Sequence, residues 1–82
     1  MEIEILKYYE NIVALIKSNK KEDAYSILEE KVGPLIFSDD ISYSDFHFLY
    51  YTLSDFINGI PATNLKEIEE ELERLIKLYR QK

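Results

Sequence analysis

This chain has no cysteine and no tryptophan, one histidine (His47), and only two glycines and two prolines in 82 residues. The missing thiols exclude disulfides, thiolate metal sites and cysteine nucleophiles. So few glycines and prolines exclude a low-complexity chain, and they cannot supply a phosphate-cradling glycine loop. No apolar run approaches the ~18–20 residues that a membrane-spanning helix needs. Cationic side chains are scarce as well: ten Lys and Arg stand against sixteen Asp and Glu, a formal charge of −6.

That charge disfavours direct nucleic-acid binding, which relies on clustered Lys and Arg, and it disfavours docking on an anionic membrane. It suits a basic protein partner, drawn in by a field that weakens with salt. Solubility alone would also account for it. The opening residues Met1, Glu2, Ile3 and Glu4 are acidic where a secretion signal would be basic, so a cytoplasmic location is expected. With a hydrophobic fraction of 46%, the chain should form one small domain. It would bury only about 60–65% of its unfolded surface, which leaves a thin stability margin unless packing is efficient or a second chain helps.

Helical periodicity dominates. Ile5, Leu6, Tyr9, Ile12, Val13 and Ile16 share one face and predict a first helix over 3–18. Asn19 reads as both a stop and a start, because with Glu22 it has the spacing of a capping box. A second helix is expected over 20–32, with Ala24, Ile27, Leu28 and Val32 inward and Gly33-Pro34 ending it. Leu35, Ile36 and Phe37 read as a loop or single turn that plugs the core, followed by a turn at Ser38-Asp39-Asp40. Ser42 and Asp45 open a third helix over 43–58, whose inward stripe is Phe46, Leu49, Tyr50, Leu53 and Ile57; Gly59 and Pro61 close it. Asn64 and Glu67 repeat the capping pattern before a last helix over 65–81. There Leu65, Ile68, Leu72, Leu75 and Tyr79 form a heptad seam. The expected fold is all-α: a single helical domain over 1–82, arranged as a four-helix antiparallel bundle.

Reactive constellations are missing. His47 has Tyr43, Tyr50 and Tyr51 on its helical face but no carboxylate to complete a relay. The Glu-x-x-His pattern of metal-binding bundles does not occur. Asp39, Asp40 and Asp45 lack the central glycine and closing glutamate of a calcium loop. The expectation is a non-enzymatic protein with no catalytic residue, no metal and no cofactor. What stands out is residues 37–51, where acids and aromatics interleave. Tyr43, His47 and Tyr51 recur at intervals of four, and Asp55 extends that ridge by another turn. Asp39, Asp40, Tyr43, Asp45, His47, Tyr51 and Asp55 are therefore the candidate partner-binding residues: rings as anchors, aspartates meeting Lys or Arg at the rim. The competing reading is that bulky rings merely fill a thin core, with one left at the surface.

In length, four helices, negative charge and an acidic, aromatic stretch holding the tandem Tyr50-Tyr51, the chain resembles the small acidic all-α immunity proteins that neutralise colicin-type and related bacteriocin toxins. In the members that block nuclease toxins, tandem tyrosines and neighbouring acids face the toxin. The resemblance thus implies Tyr50, Tyr51 and Asp55 as contacts. It implies a stoichiometric inhibitor (immunity protein, antitoxin or phage anti-defence protein) of a basic, nucleic-acid-handling protein. The alternative is a small structural or regulatory module that forms a homodimer, or serves as an adaptor, through the seam of the last helix.

Overall fold

The second helix does not stop at Gly33-Pro34. The computed structural model describes residues 2–37, 45–60 and 64–80. Its elements are α1 (Glu2–Lys17), α2 (Lys21–Ile27), a π-helical turn (Leu28–Val32), α3 (Gly33–Ile36), α4 (Asp45–Ile57) and α5 (Leu65–Arg80). Leu28, Val32 and Gly33 all keep right-handed helical dihedrals, so α2, the π turn and α3 form one continuous rod. The chain is all-helical, with no strand among the described residues.

The π turn explains how the rod passes a proline. In a regular α-helix the Pro34 ring would press on the carbonyl four residues back and leave it without a donor. Here Gly33 N–H instead reaches the Leu28 carbonyl five residues back, the wider register of a π turn. The same widening serves the core. Ala24, Leu28, Val32 and Ile36 are all fully buried and lie four residues apart. Each four-residue step over-rotates a 3.6-residue helix by about 40°, so three steps would carry Ile36 well off the buried face. A turn that holds more residues takes up part of that excess. Ile36 is accordingly the plug of the core and Leu35 packs partly against it, whereas Phe37, expected beside them, turns outward.

The helix ends are set by hydrogen bonds. Asn19 is not the N-cap of α2: its φ is +63° and the cap position is Lys20, with no side-chain cap bond. Instead Asn19 closes α1, its N–H bonding the Ile16 carbonyl and the Lys20 N–H the Leu15 carbonyl. That pair of bonds defines a left-handed helix terminator, a position asparagine tolerates and glycine prefers. Gly59, φ +81°, ends α4 in the same way through bonds from Gly59 to Phe56 and from Ile60 to Asp55. Asn64 does cap α5, its Oδ1 accepting the Glu67 N–H at 2.9 Å. The Ser42 cap lies outside the described residues.

Ile5, Leu6, Tyr9, Ile12, Val13 and Ile16 of α1 are buried, as are Phe46, Leu49, Tyr50 and Leu53 of α4 and Ile68, Leu72 and Leu75 of α5. The periodicity had marked each of them. α1 packs against α2, the π turn and α5, and α4 packs against α5, the π turn and both parts of the rod. Lys17 Nζ sits 2.5 Å from Glu69 Oε1, an ion pair by distance whose angles fall outside those of a hydrogen bond. The Phe46 ring meets Tyr79 at 5.2 Å, and Lys21 Nζ lies over the Phe56 ring at 5.5 Å. The radius of gyration of 11.8 Å is close to the ~12 Å of a compact domain of this length. No helix among the described residues is long and apolar enough to cross a membrane.

Candidate partner-binding face

Burying Phe46, Leu49, Tyr50 and Leu53 fixes which side of α4 faces away from the core. At 100° per residue, His47, Phe48, Tyr51 and Asp55 fall on the opposite arc. Phe48 is 58% exposed and Tyr51 54%, while His47 and Asp55 are half-buried beside them. The expected ridge of His47, Tyr51 and Asp55 is thus present on one arc. Asp45 opens α4, and only its backbone is described. Asp39, Asp40 and Tyr43 lie outside the described residues.

The rod of α2, π turn and α3 widens this face. Phe37, 57% exposed, sets its ring edge-on to His47 at 5.8 Å and to Tyr50 at 5.6 Å. Tyr50 in turn meets Tyr51 edge-on at 5.4 Å. Such edge-to-face pairs are favoured by the ring quadrupole and hold the rings in fixed mutual positions. The Tyr50 ring itself is buried, so what it offers to the surface is its hydroxyl, which donates to Glu29 Oε1 at 3.4 Å. Tyr25, one turn earlier on α2, lies close enough to feel the Glu29 charge. Both phenols are raised above the ordinary tyrosine range. For Tyr50 the first cause is burial and the second is Glu29; for Tyr25 the first cause is the Glu29 charge. Each phenol therefore stays protonated and available as a donor.

Phe37, Phe48, Tyr25 and Glu29 were not among the candidates. Phe48 was recoverable, since it falls off the inward stripe of its own helix. Phe37 needed the knowledge that the rod continues to Ile36, and Tyr25 and Glu29 join the face only through packing against Tyr50. A further signal is the run from Val32 to Leu65, which contains four aspartates (Asp39, Asp40, Asp45, Asp55) and neither Lys nor Arg.

Elsewhere the surface is less informative. A shallow groove between α1 and α5 is lined by Val13, Ala14, Lys17, Glu69, Leu72 and Ile76, with the ion pair at its edge. On α5, Arg74 forks onto Glu71 through Nε at 3.3 Å and Nη2 at 2.5 Å, and that guanidinium holds the Glu71 carboxyl below its ordinary value. No group of three His, Cys, Asp or Glu among the described residues could hold a metal ion. Fold and face together define a small all-helical protein with an exposed, partly acidic aromatic surface. No family model, curated protein or solved structure matches this chain.

Proposed function

We propose that the chain is a non-enzymatic, cytoplasmic protein-binding inhibitor, of the immunity-protein, antitoxin or phage anti-defence kind. It would block a basic, nucleic-acid-handling protein through the outward face of α4. The observation that carries this reading is the pair of rings Phe48 and Tyr51, both more than half exposed, on one arc with Asp55 in a stretch devoid of Lys and Arg. Rings of this kind are costly to leave in water and are enriched at the centres of interfaces. Asp39, Asp40, Tyr43, Asp45 and His47 complete the proposed contact surface. Direct nucleic-acid or membrane binding is no part of it, and it uses no cofactor or metal. The scaffold we propose beneath it is an antiparallel four-helix bundle. Its support is that Lys17 pairs with Glu69, Phe46 with Tyr79 and Lys21 with Phe56, each joining the end of one helix to the start of another.

Self-association through the seam of α5 has less support, because Ile68, Leu72 and Leu75 are buried in the chain's own core. The test is capture of the partner from the native host at low and moderate salt, followed by binding kinetics with the purified partner. Tyr51→Ala should weaken binding by about 2 kcal/mol or more, mainly through faster dissociation. Neutralising Asp39 and Asp40 should instead slow association and flatten its salt dependence. Unchanged rates in both variants would place the interface elsewhere.

A further inference from the structure

The Glu29 carboxylate sits beside the phenols of Tyr50 and Tyr25. Tyr50 donates its hydroxyl to it from α4 at 3.4 Å, and Tyr25, one turn earlier on the same rod, lies close enough to feel its charge. An ionised carboxylate offers about four lone-pair directions, so the single Tyr50 hydroxyl leaves most of its accepting capacity open. Glu29 is exposed, and among the described residues no Lys or Arg pairs with it. Accessible ring surface is close by: Tyr25 is 37% exposed, and Tyr51, 54% exposed, stands edge-on to Tyr50.

A charged acceptor beside open aromatic faces is matched by one side chain better than any other. Arginine is planar, donates two parallel hydrogen bonds to a carboxylate and stacks flat on a phenol ring. Lysine brings a strongly hydrated point charge that cannot do both at once. The fold already places one cation over a ring, Lys21 on Phe56, at the far end of α4. We infer that Glu29, flanked by Tyr25, Tyr50 and Tyr51, is the seat of an arginine side chain from the basic partner. This site rests on the proposed inhibitor reading and deepens it: it names the anchor that the partner must present. The charge complementarity is local as well as global, since the adjoining stretch from Val32 to Leu65 carries only acids.

The experiment is an amide NMR titration of the full chain with three short capped peptides that differ only in a central pair of arginine, lysine or citrulline residues. The arginine peptide should shift Tyr25, Glu29, Tyr50 and Tyr51 in a saturable way. Citrulline, which keeps the shape but not the charge, should leave them unmoved. Glu29→Gln should weaken the arginine peptide by about tenfold, the effect of losing one charged hydrogen-bond partner. Tyr51→Ala should weaken it by about two- to fivefold, as expected for an exposed cation–π contact. Glu29 is exposed, so both variants should keep the helical circular dichroism of the parent. Equal affinity for arginine and lysine peptides, or shifts centred on Glu67, Glu70 and Glu73 of α5 and insensitive to Glu29→Gln, would overturn the assignment. Running Glu29→Gln against the captured partner separates the two proposals. Partner binding that falls with Tyr51→Ala but not with Glu29→Gln removes the arginine seat and keeps the inhibitor reading. Binding that falls with neither removes both.

Discussion

The hydroxyl of Tyr9 donates to the backbone carbonyl of Phe46 at 2.7 Å, with both residues buried and thirty-seven positions apart in the chain. It ties the middle of α1 to the first turn of α4 and gives a fully buried phenol the partner it requires. The Phe46 carbonyl also lies within the helix, where its own ladder partner is four residues on. Tyr9→Phe therefore removes one net hydrogen bond without stranding the acceptor, and should cost about 0.5–1.5 kcal/mol. Urea melts should show a lower midpoint and an unchanged slope. A slope change would mean that the substitution alters compactness rather than one contact.

Alkaline pH should unfold this protein. Tyr9 is held above the ordinary phenol value of 10.0 by burial and then by Tyr50; Tyr50 is raised by burial and then by Glu29, and Tyr25 by Glu29. In the unfolded chain these phenols release their protons near pH 10, while the folded chain still holds them. The unfolded state therefore binds fewer protons, and stability falls as pH rises. The contribution is intact below about pH 10 and is lost progressively above it. Tyrosinate absorbance and helical circular dichroism should change together as pH is raised. Tyr9→Phe should flatten that loss, and an equally steep loss in the variant would show that Tyr9 ionises without unfolding.

Most of this fold was legible because burial in a helix leaves a periodic trace. The buried stripes of α1, α4 and α5 were read from their spacing, although Ile57, Leu65 and Tyr79, expected inward, are only partly buried against the core. Gly33-Pro34 misled, since glycine and proline together are a terminator in a regular helix and nothing local announces a π turn. The run Ala24, Leu28, Val32, Ile36 did carry the information: four apolar residues spaced by four make a helical face that continues past the proline. Asn19 misled differently, because its side chain suits both an N-cap and a left-handed terminator, and the choice is made by the backbone bonds of Asn19 and Lys20. Of the candidate face, the outward arc of α4 could be read from its own sequence. Tyr25 and Glu29 could not, because they join it through packing between distant segments.

Leu75 and Leu72 lie three residues apart on the α5 seam, yet their truncation should not cost the same. Leu75 is fully buried, whereas Leu72 lines the open groove between α1 and α5. Both Leu→Ala changes remove methylenes and leave space, for about 2–5 kcal/mol. Leu75→Ala belongs at the upper end. Leu72→Ala belongs at the lower end, where solvent can relieve the cavity. The whole stability of such a chain is only roughly 4–12 kcal/mol, so Leu75→Ala should remove a large fraction of it. Denaturant melts giving less than about 1 kcal/mol for Leu72→Ala would put that leucine at the surface.

The two glycines should respond to alanine in opposite directions, and against steric intuition. Gly33 is the crowded one: an added Cβ would lie 3.6 Å from the Tyr50 hydroxyl and 3.7 Å from the Leu28 carbonyl. Those are ordinary contacts, and its dihedrals, φ −49° and ψ −55°, are already helical. Gly33→Ala should therefore stabilise by about 0.5–1 kcal/mol, because the unfolded chain loses freedom and the folded one loses nothing. Gly59 is the roomy one, with nothing within 4 Å of the added carbon. Its φ of +81° belongs to the left-handed region, where an L side chain crowds its own backbone. Gly59→Ala should cost about 1–2 kcal/mol and fray the end of α4. Thermal melts of the two variants should move to opposite sides of the parent. A lower melting temperature for Gly33→Ala would overturn the reading that its helical dihedrals and ordinary contacts leave room for a methyl group.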